Sequence, residues 1–140
     1  MGLSLIAIPV LVEINTNPAH LVRQWARLYE YGIRLMPAGA IGTTLLYGYS
    51  IAARLRSNRP WHIYAFAAAA TMSIVPFTWL VMLPTNSVLF GLNALPGGAE
   101  DLDQVLGLLA KWKFLHILRS LLPLTGAILG LSGTLQEKST

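Results

Sequence analysis

From Pro60 to Ala99 the chain carries no Asp, Glu, Lys or Arg. Within that stretch, Trp61 to Leu83 alone exceeds the ~20 residues that cross a bilayer core as a helix. A second uncharged run extends from Leu35 to Ala53 and is closed by Arg54. A third runs from about Trp112 or Ile117 to Leu135, with Arg119 inside it. No period-two alternation supports strands. A closed transmembrane barrel needs at least about eight of them, which leaves helix as the spanning structure.

The N-terminal segment, Met1 to Val12, is apolar but short, since twelve residues rise only ~18 Å as a helix. It reads as the second half of a first membrane helix, or as a helix tucked into the bundle, with Pro9 kinking it. No Lys or Arg precedes it, so it lacks the basic start of a signal peptide. Asn17-Pro18 then reads as a helix start, with Asn as cap and Pro at the first position. Leu21, Trp25, Leu28 and Gly32 recur at helical spacing, with Arg23, Arg27, Glu30 and Arg34 on the other side. This pattern predicts an amphipathic interfacial helix running into the second span.

The link at 54–60 is short and holds three Arg, whereas the link after the third span is longer and acidic. The positive-inside rule puts the basic link in the cytoplasm. Arg23, Arg27, Lys111 and Lys113 fall on the opposite side and oppose that assignment. Leu102 to Lys111 is expected to continue as helix straight into the last span. The expectation is an all-α, integral membrane four-helix bundle in one domain, residues 1–140, with a short or incomplete first helix.

Composition supports this. Only 11% of residues are charged and 54% are apolar, against ~25% charged in an ordinary soluble domain. The net charge of +4 fits attraction to anionic lipid. Nucleic acid is not an expected partner, because basic residues do not interleave with aromatics on an exposed surface. With no Cys, disulfides, thiolate metal sites and Cys nucleophiles are excluded.

Polar residues inside membrane helices face the bundle interior or a cavity and mark candidate function. On the last helix Trp112, His116, Arg119 and Pro123 share a face. Arg119 reads either as a snorkelling side chain or as a fixed cation in a site. His116 reads as a packed, hydrogen-bonded residue or as a base, donor or ligand. In PFTWLVMLPTN, residues 76–86, Thr78, Met82 and Thr85 form one stripe with Asn86 beside it. Pro76 and Pro84 each remove a helical donor, so the helix is expected to break there and open toward a cavity. Thr in such a helix also bonds back to its own carbonyls. On the second helix Thr43, Tyr47, Ser50 and Arg54 share a face, and Gly39 and Gly42 offer a close-packing surface.

No HExxH, Glu-x-x-His, phosphate loop or GxSxG motif is present. His20, His62 and His116 are scattered, which makes a poor metal set.

The segments SLIAIPVLV near the start, QWARLYEYG at 24–32, PFTWLVMLPTN at 76–86 with Leu89 after it, and WKFLHILR at 112–119 together resemble the fungal anthrone oxygenase family. The likeness runs from about Ser4 to Leu135. It implies oxidation of an anthrone to an anthraquinone by molecular oxygen in aromatic polyketide biosynthesis, in the endoplasmic-reticulum membrane. It also implies a longer N-terminal segment completing the first helix. The substrate's acidic CH₂ would need a base and donors for an oxyanion in a dry aromatic pocket. The expected roles are His116 as base, with Arg119 and Asn86 holding the oxyanion or a phenol. Trp25, Tyr29 and Trp112 would wall the substrate, with Thr78, Met82 and Thr85 beside it. No cofactor is expected beyond oxygen as co-substrate. A bilayer and the anthrone are the expected partners, and a homo-oligomer is compatible. The alternatives are a non-catalytic membrane protein that binds a hydrophobic ligand or assists a complex, and a small transporter.

Overall fold

A computed structural model of the protein describes residues 2–138. Met1, the start of the expected N-terminal apolar segment, lies outside the described residues. All regular structure among the described residues is helical. A π-helical turn, Leu3–Ala7, leads into α1 (Ile8–Ile14). The long helix α2 covers Pro18–Arg56. The helical run α3 covers His62–Asn93, and α4 covers Leu102–Lys138.

The starts are locally encoded. Asn17 Oδ1 accepts a hydrogen bond from the His20 N–H at 3.0 Å, satisfying a donor that the first helical turn leaves without a partner. Asp101 Oδ1 does the same for the Gln104 N–H at 3.1 Å at the start of α4. The link before α4 turns through Gly97 and Gly98, both at positive φ. A Cβ on Gly98 would collide with Ala19 Cβ, so the turn needs glycine for space as well as for conformation.

The two prolines of PFTWLVMLPTN do not end the helix, contrary to expectation. α3 consists of an α-helix His62–Met72, a turn at Ser73, a short helix Ile74–Phe77, a π turn Thr78–Met82 and an α-helix Leu83–Asn93. The Leu83 N–H donates to the Thr78 carbonyl five residues back. Pro84 has no N–H, so a four-residue bond to Leu80 cannot form. The wider turn absorbs that loss, and Pro84 takes an early position in the following helix, where a missing donor costs least.

The chain forms two compact units. The first comprises the residues up to Arg34 with Pro76–Leu118. Its core joins Ile8, Leu21, Val22, Trp25, Ala26, Met82, Leu89, Ala99, Val105, Leu109, Trp112 and Leu115. α1 is therefore tucked against protein, which was one of its two expected placements. The amphipathic start of α2 keeps its predicted sides, with Arg23, Arg27, Glu30 and Arg34 exposed. Its apolar stripe packs into the unit's own core at Leu21 and Trp25, with Leu28 and Gly32 half-buried.

The second unit comprises Leu35–Val75 and the residues from Arg119 onward. The Tyr47 hydroxyl donates to the Gly126 carbonyl at 2.9 Å. A Cβ on Gly126 would stand 2.5 Å from Thr71 Oγ1 and 2.8 Å from the Ala67 carbonyl. Gly130 meets Tyr47 in the same way, and Gly133 meets Ile63 and Tyr64. These glycines of α4 provide the close approach. Gly39 and Gly42, expected to do so, face open space, with no neighbour within 4 Å of where a methyl would stand. The Arg54 guanidinium lies over the Tyr64 ring, 4.6 Å from its centroid.

Two helical runs, His62–Asn93 and Leu102–Leu135, are long and apolar enough to cross a membrane. The expected span at Leu35–Ala53 is helical but is not among them. Its Gly, Thr and Tyr residues dilute an otherwise apolar surface that includes exposed Leu45 and Leu46.

Candidate functional site

Three helices of the first unit each bring a stripe at three- and four-residue spacing. On α2 it is Leu21, Val22, Trp25 and Ala26, followed by half-buried Tyr29. On α3, after the π turn, it is Met82, Thr85, Asn86 and Leu89. On α4 it is Val105, Leu109, Trp112, Leu115 and His116. The apolar members close the core by ordinary burial. The polar members are carried into it by the same periodicity, and they define the candidate site.

Aromatic rings connect these helices. Trp25 lies 5.5 Å from Tyr29, 5.0 Å from Phe90 and 6.0 Å from Trp112, measured between ring centroids. The Trp25–Trp112 pair meets edge to face, as does Tyr29–Phe90 at 5.1 Å. The quadrupoles of the rings favour these geometries, each by about 0.5–1.5 kcal/mol beyond area burial. Trp112 extends the aromatic series to His116, 4.8 Å away at an interplanar angle of 30°.

The polar atoms are unevenly satisfied. His116, only 4% exposed, shares a 2.7 Å hydrogen bond through Nδ1 with Ser4 Oγ. Asn86, 2% exposed, donates through Nδ2 to the Tyr29 hydroxyl at 3.5 Å, a long contact. Trp25 Nε1, Trp112 Nε1, Thr85 Oγ1 and Asn86 Oδ1 are buried with no hydrogen-bond partner among the described residues. Leaving a buried polar atom without a partner costs about 1–3 kcal/mol. Such atoms are rare in folded proteins and call for an explanation. Three of the four are donors in an aromatic setting, and the fourth is an acceptor. That set suits a flat ligand with oxygen functions at its edge.

Trp25, Tyr29, Met82, Thr85, Asn86, Trp112 and His116 all fall in this one unit, as the helical stripes anticipated. Thr78 is half-buried and opens the π turn rather than joining the buried stripe. Arg119 is half-buried and belongs to the second unit. Sequence reasoning missed Ser4 and Phe90. Ser4 is a small residue in an apolar run, and its partner is 112 residues away. Phe90 follows Leu89 and reads as ordinary core. Among the described residues no group of three or more His, Cys, Asp or Glu gathers as metal ligands.

Fold and site thus define a small, strongly apolar helical protein. It has two runs suited to a membrane and a buried aromatic centre edged by a histidine, an asparagine and indole N–H groups. A family model described as anthrone oxygenase matches residues 25–129, and the chain belongs to that family. It is 48% identical over 138 residues to anthrone oxygenase AgnL2 of Paecilomyces divaricatus, covering 95% of this chain and 84% of that one. It is 47% identical to anthrone oxygenase ptaC of Pestalotiopsis fici, over 94% of this chain and 97% of the relative. It is also 40% identical to the noranthrone monooxygenase of Aspergillus flavus, over 95% of this chain and 65% of that one. No solved structure matches.

Proposed function

We propose that the protein is an oxygenase that converts an anthrone to an anthraquinone with molecular oxygen in fungal aromatic polyketide biosynthesis. Membership of the anthrone oxygenase family supports the reaction class. The observation that carries the site assignment is the group of buried, unpartnered polar atoms at Trp25, Thr85, Asn86 and Trp112, in the same core as His116.

The chemistry follows from the substrate. The anthrone CH₂ lies between two aromatic rings and opposite a ketone, so its proton is acidic. His116 takes that proton, and the negative charge settles mainly on the ketone oxygen. The indole N–H groups and the Thr85 hydroxyl donate to that oxygen, and Asn86 Oδ1 accepts from a neighbouring phenol. Fixed donors in a dry site stabilise the anion more than mobile water would. The anion reduces oxygen by one electron, the resulting radical pair combines to form a C–O bond, and the peroxide anion so formed takes back the proton held by His116 to give a hydroperoxide. The hydroperoxide then loses water, breaking the O–O bond and the remaining C–H bond, to give the quinone carbonyl. One oxygen atom ends in the product and one in water, and both electron pairs come from the substrate. So written, the reaction draws on no redox cofactor.

The setting we propose is a lipid bilayer, most simply that of the endoplasmic reticulum. Trp79 and Leu80 on α3 are 70% and 78% exposed, on a run long enough to span. Lipid would cover such a surface at no desolvation cost.

The test is oxygen uptake by purified protein with an anthrone, with and without a metal chelator. The expected outcome is one oxygen consumed per quinone formed, unaffected by the chelator. Binding of the anthrone without oxygen uptake would overturn the enzyme reading in favour of a hydrophobe-binding protein. Activity lost with chelator and regained with metal would overturn the cofactor-free chemistry.

A further inference from the structure

We infer that Ser4 is a positioning residue for the reaction, setting the tautomer of His116 so that its Nε2 is basic. The inference rests on the proposed role of His116 as the base. Ser4 Oγ and His116 Nδ1 are 2.7 Å apart, and both residues are buried, Ser4 completely. A serine hydroxyl can donate or accept, so the distance by itself fits either tautomer. Base chemistry separates them. If Ser4 donates to Nδ1, the ring proton sits on Nε2 and the ring offers no lone pair away from Ser4. If Nδ1–H donates to Ser4 Oγ, Nε2 keeps its lone pair. The hydrogen bond at one ring nitrogen determines which form the other takes.

Two further observations single out this serine. Several serine and threonine hydroxyls in the helices serve their own backbone: Ser50, Ser87, Thr125 and Ser132 each donate to the carbonyl four residues back. Ser4 instead reaches a side chain on α4. It also sits in a π turn, Leu3–Ala7, and such turns recur where a helix re-aims a side chain at a functional site. Trp112 lies against the imidazole as well, its ring centroid 4.8 Å away and its plane tilted 30° from that of His116. Ser4 at Nδ1 and Trp112 against the ring together restrict both the position and the rotation of the imidazole.

The role of Ser4 is therefore to hold the base in one protonation isomer and one orientation, without touching substrate. The test combines turnover with nitrogen NMR of histidine-labelled protein in lipid nanodiscs, using the full chain. His116→Ala assigns the His116 signals against those of His20 and His62, and it tests the base itself. The expected result for the wild type is a His116 ring protonated at Nδ1. In Ser4→Ala that signal moves toward the Nε2-protonated form, and kcat falls by about 10–100-fold, the scale of lost second-sphere support, with KM changed less than about twofold. Ser4→Thr, which keeps the hydroxyl, retains the Nδ1 form and at least half the rate. A His116 tautomer that is the same in Ser4→Ala as in wild type would overturn the inference, as would a shifted tautomer with undiminished kcat. Full turnover by His116→Ala is a separate result: it removes the base, and with it the reason for a positioning serine, whatever Ser4→Ala does.

Discussion

The indole of Trp112 and the imidazole of His116 lie one turn apart on the same helix, 4.8 Å between ring centroids and 30° from parallel. The Nε1 of this Trp is buried with no partner among the described residues, while Nδ1 of the His is engaged by Ser4. One member of the pair is tied to the fold by its polar atom, and the other only by its ring. Replacing Trp112 by Phe removes the orphaned donor and keeps an aromatic ring. The expected outcome is a melting temperature within a few degrees of wild type and a turnover reduced about tenfold, seen by thermal unfolding and oxygen uptake on the same preparation. A melting temperature that falls as far as in Trp112→Ala, for which a loss of ~3–5 kcal/mol is usual, would show that the indole serves packing alone.

Thr85 offers the same separation at smaller scale. Thr85→Val deletes a buried hydroxyl that has no partner among the described residues and keeps the branched shape. Removing an unsatisfied polar atom relieves about 1–3 kcal/mol of strain on the fold, so stability is expected to hold or rise while turnover falls. Denaturation in detergent and steady-state rates measure the two halves independently.

Asn86 has both an engaged and a free end. Its Nδ2 meets Tyr29 at 3.5 Å, whereas its Oδ1 has no partner among the described residues. Asn86→Ala is expected to lose turnover by about 10–100-fold in protein that still accumulates and melts cooperatively, because a 3.5 Å contact contributes little. Tyr29→Phe, which removes only the hydroxyl, is expected to leave stability nearly unchanged. Protein that fails to accumulate as Asn86→Ala would assign Asn86 to the fold instead.

Outside the site, the glycines of α4 give a stability prediction with a built-in control. Gly126→Ala forces a methyl to 2.5 Å from Thr71 Oγ1 and 2.8 Å from the Ala67 carbonyl. Overpacking of this kind costs about 1–3 kcal/mol. Gly42→Ala meets open space and is expected to stabilise the helix by up to ~1 kcal/mol. Thermal unfolding of the two variants side by side decides it.

The exposed face of α3 tests the bilayer. Leu80→Arg places a cation at a position that is 78% exposed. Near a helix centre this costs about 2.5–3.5 kcal/mol of insertion free energy. Alkaline extraction of membranes expressing the variant should release more of it than of the wild type. Equal retention of both would mean that this face does not lie in hydrocarbon.

Periodicity made most of the first unit legible. The placement of Trp25, Tyr29, Asn86, Trp112 and His116 on core-facing stripes followed from spacing alone, because three helices with apolar faces have little choice about what they bury. The Asn17 cap and the continuation of Leu102 into the last helix were equally local. Two kinds of information were not local. The Ser4–His116 bond joins residues 112 positions apart, and nothing in SLIAIPVLV marks its serine as anything but a small polar interruption. The close-packing glycines were placed at 39 and 42 rather than at 126, 130 and 133, since a glycine's neighbours depend on which faces meet. The prolines misled for a third reason. A missing N–H says that one bond is lost, but not whether the backbone breaks or widens by a residue to keep going.

That widening makes the width of one backbone turn a property of the site. Each residue of an α-helix advances the direction of the next by ~100°. Between Thr78 and Met82 the backbone spends one more residue than a regular turn would. Winding the same residues as ordinary helix would carry everything beyond them around the axis by about a quarter of a revolution. Asn86 would leave the core, and Pro84, now at the surface, would turn toward it. The stretch should therefore accept substitutions at its outward positions, such as Trp79, far more readily than any change that lets the wide turn close. In that sense the polar side chains of the third helix are aimed by the width of one turn, and the identity of the residues that make the turn matters less than that width.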